Sequence, residues 1–421
     1  MHRNEMIIAA FLLSTVMFFS ASAAVETPFE VGTWGNFCQA AISHTFDDGT
    51  GNQYSKAVPL FKSKGFNMTL FTVTSGGMFP GWDKAKNAFS QGDEIGSHSV
   101  THPGTVSDAE CKTSWEAITK NVPGEKCISI AYPNCNIPTS TTNLKTYYIA
   151  GRICSGQIEN KTPGDFYKIS SIIVGQNGAS TDMDGQANSA ASKNGWAVFL
   201  HHGVDGDHSF ASTSSTALGN HLNFLSQNKS KFWVETFGNV ARYIKERDAV
   251  SLSVQSSTEN SITVSITDNL PDTIYNYPLT IRRPLPDGWT TAVVTQNGKS
   301  VDGSIVTVNA KQYVMFKAVP NGGTVVISKE PTSVISHVSR QSVKPTISLN
   351  NSVLMINPER FSGSAIEVSL FNLNGATIGR YTFAKGSGLF SVPVTYLTNS
   401  AFFIKATDGI TTVTSRCLKQ M

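Results

Sequence analysis

Two short runs concentrate the residues able to do chemistry: Thr45-Phe46-Asp47-Asp48-Gly49 and His98-Ser99-Val100-Thr101-His102. One carboxylate and two imidazoles suit a divalent metal, zinc first among them, and leave a coordination position open for water. The adjoining carboxylate is what hydrolysis needs to take a proton from that water. An Asp-Gly pair alone is a common hairpin signal. Here it follows the apolar run Ala41 to Phe46 and precedes helical spacing, so no return strand is in sight. His98 and His102, four residues apart, are expected on one face of a helical turn, with Cβ atoms ~5–6 Å apart. From there both rings can reach one metal.

The surrounding chain must position these groups. From about residue 40 to 248, strand-like and helix-like segments alternate. Ala41 to Phe46 reads as a buried strand, and Met68 to Val73, Ile128 to Tyr132 and Trp196 to Leu200 are strand-like runs. Tyr54 to Lys64 (stopped by Gly65), Trp82 to Gln91 and Phe237 to Arg247 carry helical spacing. Such alternation predicts α/β architecture with a parallel sheet, open or closed into a barrel. The chemically suggestive residues follow directly after strands, the edge at which sheets of this kind build their sites.

Composition narrows the partners. Net charge is +3 and charged residues are 15% of 421, so nothing argues for nucleic acid or an anionic membrane surface. His2-Arg3, the apolar stretch Met6 to Phe19 and Ala21-Ser22-Ala23 have the form of a secretory signal peptide over 1–24. The apolar core is shorter than the ~20 residues that span a bilayer, so no permanent membrane span is expected. The expected location is secreted or cell-surface, with periplasmic transit. In that oxidising setting the six cysteines are free to pair; Cys111 with Cys127 and Cys135 with Cys154 are local candidates.

The texture changes past residue 248. The alternating run Ser261-Ile262-Thr263-Val264-Ser265-Ile266, with turn signals at Asn297-Gly298 and Asn321-Gly322-Gly323, predicts a β-sandwich over 250–330. Residues 331–345 read as a linker. Residues 346–421 are again β-patterned, with hairpin turns expected at Asn374-Gly375 and Asp408-Gly409.

Thr-Phe-Asp-Asp-Gly followed about fifty residues later by His-Ser-x-x-His resembles the polysaccharide deacetylase family, also called carbohydrate esterase family 4 or the NodB-homology domain. The resemblance covers roughly residues 40 to 248, half the chain, within an expected catalytic domain over 25–249. It implies a distorted (β/α) barrel, a divalent metal, most often Zn2+, and removal of acetyl groups from a sugar polymer. Carried over, Asp47 is the general base, and Asp48, His98 and His102 hold the metal. A later histidine at a strand end is the general acid: Leu200-His201 and His202-Gly203 both fit the family pattern, and His202 is favoured. An oxyanion donor is expected near Tyr132. The family's third motif brings an Arg to pair with the catalytic aspartate, yet Ala131-Tyr132-Pro133-Asn134 has Ala there. Asp165-Phe166-Tyr167-Lys168 offers Lys168 as a replacing cation. The Asp and Trp pair of the fourth motif has no clear counterpart.

The stretch Val368 to Gly375 with Phe402-Phe403-Ile404-Lys405 is similar to the sorting domains of type IX secretion, which makes secretion machinery an expected partner of the last module; an ordinary β-module or a carbohydrate-binding module is the alternative. The leading functional expectation is deacetylation of a polysaccharide or oligosaccharide, either an N-acetylglucosamine polymer such as chitin or acetylated xylan. Two rivals stay open: a carbohydrate-binding protein without turnover on the same fold, and a non-haem iron oxygenase, since two His and a carboxylate also hold Fe(II). A serine esterase is disfavoured by the lack of any Gly-x-Ser-x-Gly elbow.

Overall fold

The computed structural model describes residues 28–329, apart from 139, 177, 179 and 209. Farther on it describes 347–350, 353–356, 361, 363–372, 376–384, 390–394, 401–409 and 412–418. The expected signal peptide, the linker and the Asn374-Gly375 turn lie outside the described residues. Two compact units divide the chain after residue 332.

The first unit opens with a two-residue strand, β1 (Glu30–Val31), and then builds a parallel sheet. Its strands are β2 (Ala40–Phe46), β3 (Thr69–Thr72), β4 (Glu94–Ser97), β5 (Ser129–Ala131), β6 (Ala150–Arg152), β7 (Ile172–Ile173), β8 (Trp196–His201) and β9 (Phe232–Val234). The order is β6-β5-β4-β3-β2-β8-β7, every pairing parallel. All seven residues of β2 are buried, as a central strand covered on both faces must be. One edge of β2 is shared: β9 pairs with its first half, at Ala40 to Ile42, and β3 with its end, at Thr45 and Phe46. That split distorts the barrel. Closure comes from the stretch leading into β7, where Ile169 bridges Arg152 and Ile153 N donates to Ile169 O at 2.8 Å.

Among the described residues six α-helices return the chain: α1 (Val58–Lys64), α2 (Trp82–Ser90), α3 (Asp108–Asn121), α4 (Met183–Ser192), α5 (Ser215–Gln227) and α6 (Phe237–Ala249). Ser107, Asp182, Ser214 and Thr236 cap the last four by accepting a backbone N–H with their side chains. The stop expected at Gly65 is real: its φ of 70° is a left-handed helix end that favours glycine. Among the described residues no helix is long and apolar enough to cross a membrane.

Past α6 the chain forms two antiparallel sheets, and the two-residue Asn297-Gly298 turn (φ 49° and 73°) joins Val293–Gln296 to Lys299–Ser300 as expected. One edge strand comes from an unforeseen place: β1 pairs with Leu279–Pro284, so residues ahead of the barrel complete the sandwich. A single core runs from barrel to sandwich, joining Phe237, Val240 and Ile244 of α6 to Leu252, Ile281 and Phe316. Among the described residues the second unit's strands pair antiparallel, around Leu354, Ile366, Val368, Leu370, Phe402 and Ile404, and Gly409 bends the chain after the strand Ala401–Thr407.

Candidate active site

The carboxylates sit where β2 ends. Asp47 N still donates to His201 O at 2.9 Å, so the ladder with β8 runs one residue past the strand. Asp48 and Gly49 then take φ of 72° and 79°. In a continued strand adjacent side chains would point to opposite faces. The left-handed Asp48, a conformation Asp tolerates better than most residues, breaks that alternation and lets both carboxylates line one cavity. Gln53 fixes the turn by donating to Asp47 O and, at 2.8 Å, to His202 O.

The histidines follow β4, but not on the expected helical turn. Ser99 and His102 have φ of 69° and 56°, which no right-handed helix contains, and the segment is an irregular loop. Glu110 of α3 holds it, accepting from Val100 N, Thr101 N and Thr101 Oγ1 at 2.7, 3.0 and 2.8 Å. Spacing of four therefore brings the rings together through loop geometry.

Asp48 Oδ1 lies 3.7 Å from His98 Nε2 and 3.7 Å from His102 Nε2. One ligand atom from each of the three falls within 4.8 Å of the others. His98 Nδ1 faces Ala131 O at 2.8 Å. A carbonyl can only accept, so the ring proton sits on Nδ1 and the Nε2 lone pair faces the cluster, the tautomer a metal ligand needs. The donor set and its orientation fit a divalent cation with an open position.

Asp47 differs from its neighbour in having a cation of its own. Arg152 Nη2 donates to Asp47 Oδ2 at 2.6 Å, with both side chains almost fully buried. Burial pushes the Asp47 carboxyl up, but the Arg152 guanidinium, with His98 and His202 beside it, outweighs this and holds it below the ordinary carboxylate range. Its Oδ1 is buried and makes no hydrogen bond, leaving one oxygen free to accept a proton. Arg152 is the residue that sequence reading missed. It stands directly beside Ala131 in the parallel register of β5 and β6, so the guanidinium reaches the site from the adjacent strand at the same level. The available signal was a charged residue closing the apolar run Tyr148 to Gly151, since a buried charge must be paired.

Lys168 does not supply that cation. It is half-exposed, pairs with Asp165 at 3.7 Å and is not among the residues lining the cavity. His201 is likewise not in the site: its ring stacks on Phe46, with centroids 4.4 Å apart, and contacts His44 Nδ1 and Thr213 Oγ1 at 3.0 and 3.1 Å. Strand alternation explains it, since Leu200 and His202 line the cavity while His201 faces the other way. Burial lowers His202 below the usual imidazole range, and the neighbouring Asp47 and Asp48 carboxylates pull it back up, favouring the protonated form a general acid needs. Tyr132 lines the cavity, but its backbone N–H is spent on Arg152 O at 3.2 Å and its hydroxyl on Tyr167 O at 3.0 Å. It therefore offers no oxyanion donor.

The cavity is about 690 Å³ and opens at the C-terminal edge of the strands. Cys135 and Cys154 in its wall form a disulfide, one of the two local pairs expected; Cys111 and Cys127 are buried and unpaired. Met78 and Phe210, both substantially exposed, contribute apolar lining.

Residues 35–145 match the family model described as polysaccharide deacetylase. A gellan lyase from a Bacillus species is 26% identical over 343 residues, 74% of this chain; the chain spans only 14% of that protein's length. Among solved structures, the Xyl-CE4 domain of a multidomain xylanase from the hindgut metagenome of Trinervitermes trinervoides is 16% identical, with 48% of this chain and 88% of that one covered and a TM-score of 0.33. A peptidoglycan N-acetylglucosamine deacetylase is 16% identical over 48% of this chain and 93% of the other, with a TM-score of 0.31. The match to the polysaccharide deacetylase model covers residues 35–145, the stretch that carries Asp47, Asp48, His98 and His102.

Proposed function

We propose that this protein is an exported, metal-dependent deacetylase of a polysaccharide or oligosaccharide. One observation carries the reading: Asp48 Oδ1 faces both imidazole Nε2 atoms at 3.7 Å, while Asp47 Oδ2 lies 3.7 Å from His98 Nε2, is clamped by Arg152, and leaves Oδ1 free. Asp48, His98 and His102 would hold the cation. When bound there, a divalent ion supplies Lewis acidity and makes water acidic enough to lose a proton near neutral pH.

The protein's own groups do the rest. Asp47 takes the proton from the attacking water, and Arg152 keeps it ionised and oriented for that task. His202, on the same cavity wall, gives a proton to the leaving sugar nitrogen or oxygen as that atom becomes basic. An amine leaves poorly without that proton, so amide substrates depend on His202 more than esters do. The apolar lining from Met78 and Phe210 suits the face of a sugar ring.

Arg152 removes the main motive for the reading without turnover, which was a missing partner for Asp47. A second carboxylate clamped by a cation has no evident task in an iron oxygenase. We further propose export through the N-terminal signal and type IX sorting through the last β module. The test is acetate release from acetylated chito-oligosaccharide and from acetylated xylan, before and after chelation and zinc return. Release from one or both, lost on chelation and restored by zinc, supports the reading; no release under any condition returns the chain to carbohydrate binding alone.

A further inference from the structure

One histidine near the candidate metal cluster has no role in the account so far. His208 lies in the loop between β8 and α5, and its Nε2 is 3.4 Å from Asp48 Oδ2. That is the carboxylate oxygen other than the one facing His98 and His102. His208 lies outside the three-residue cluster.

The ring's other nitrogen indicates which way it works. Phe210 N donates to His208 Nδ1 at 3.1 Å, and accepting that bond places the ring proton on Nε2, facing Asp48. The other tautomer would let Nδ1 donate to Phe210 O at 3.2 Å, but it would set an Nε2 lone pair against a carboxylate oxygen. The contact is longer than the ~2.7–3.2 Å of a formed N–H···O bond; such bonds often tighten only when the site is loaded.

The loop is built to hold this ring in place. Asp207 accepts from Val204 N at 2.7 Å and from Asn52 N at 2.6 Å, tying it to the turn that carries Asp48. Gly203 lets the chain fold back, because a Cβ there would lie 2.6 Å from His208 Cβ and N. His208 also stacks on His202, with centroids 5.4 Å apart.

We propose that His208 is a positioning residue for the metal ligand Asp48. It donates Nε2–H to Oδ2 and so turns Oδ1 toward His98 and His102. The inference rests on the reading of Asp48, His98 and His102 as a cation site. Outer groups that orient a ligand typically carry 10–100-fold in metal affinity.

The test is zinc titration of the full chain, stripped of metal, against a competing chelator, with apo-protein thermal unfolding as a check on folding. His98→Ala should abolish binding. His208→Phe, which keeps a ring but no donor, should weaken zinc by about 10–100-fold, whereas His208→Gln, which restores an N–H donor, should recover most of it. Co2+ absorption should keep the same coordination number in His208→Phe. An unchanged affinity in His208→Phe overturns the proposal and leaves the cation site standing. So does a Gln variant as weak as Phe. Complete loss of binding in His208→Phe makes His208 a ligand and overturns it too. No zinc bound by the wild-type chain overturns the underlying reading instead.

Discussion

Replacing Arg152 by methionine removes the guanidinium that donates to Asp47 and keeps most of the side chain's volume. At 2.6 Å, two unit charges attract by about 6 kcal/mol at an effective dielectric of 20. Desolvation of both groups takes part of that back, and breaking a buried pair from one side costs ~3–5 kcal/mol. Much of the loss falls on the ionised form of Asp47. Burial raises that carboxyl, and without Arg152 only His98 and His202 oppose it. A loss of about 3 kcal/mol corresponds to a rise of ~2 pKa units. Because Asp47 works as the carboxylate, the acid limb of kcat/KM for acetate release should move to higher pH by about that much. The register supplies a rescue: Ala131 lies beside Arg152 on the adjacent strand. Ala131→Arg combined with Arg152→Ala should return the guanidinium from the neighbouring strand and bring the acid limb back. The assay is a pH profile of acetate release for wild type, Arg152→Met and the double variant, with thermal unfolding in parallel. An acid limb that stays in place in Arg152→Met would refute the argument that this pair controls Asp47.

Other outcomes separate neighbouring residues. His202→Asn should reduce turnover on amide substrates more than on esters and leave stability nearly unchanged, whereas His201→Asn should leave turnover intact and cost ~1–3 kcal/mol of stability through its lost buried contacts; urea denaturation and acetate release on both variants check this. Burial holds His201 down at about 3, and His44 and His221 are also lowered. The folded chain thus refuses protons that the unfolded chain takes up below about pH 6.5, so stability should hold above that pH and fall below it. The slope approaches ~1.4 kcal/mol per pH unit for each histidine that stays neutral, measurable by urea midpoints at two pH values. Opening the Cys135–Cys154 disulfide, whose partners are 19 residues apart, should lower stability by about 3 kcal/mol, read as a shift in thermal midpoint between native protein and the Cys135→Ser, Cys154→Ser variant.

The parts of the site that follow strands directly were legible in the sequence, because an apolar run ending in charge marks a sheet edge. Asp47 and Asp48 after β2 and His202 after β8 are of that kind. Alternation along β8 also separates His202 from His201, once Leu200 is placed facing the cavity. What depended on non-local pairing was not legible. Arg152 enters the site only because β5 and β6 align Ala131 with Arg152, and no local pattern announces that register. The His98 to His102 loop misled in the opposite sense: spacing of four suggested a helix, but left-handed Ser99 and the Glu110 carboxylate set its course. Helices α3 and α4 went unread because Asp108–Asn121 is mostly polar and Met183–Ser192 mostly small, which leaves little periodic apolar contrast. β1 was missed because two residues carry no pattern at all.

The division of labour between Asp47 and Asp48 is the centre of the account, and a single preparation of Asp47→Asn tests it. Zinc content and acetate release should be measured on the same sample. Bound zinc close to the wild-type level with turnover abolished is the expected result. Loss of the zinc, or turnover that persists with zinc bound, contradicts the assignment of Asp47 as the free base beside a cation held by Asp48, His98 and His102.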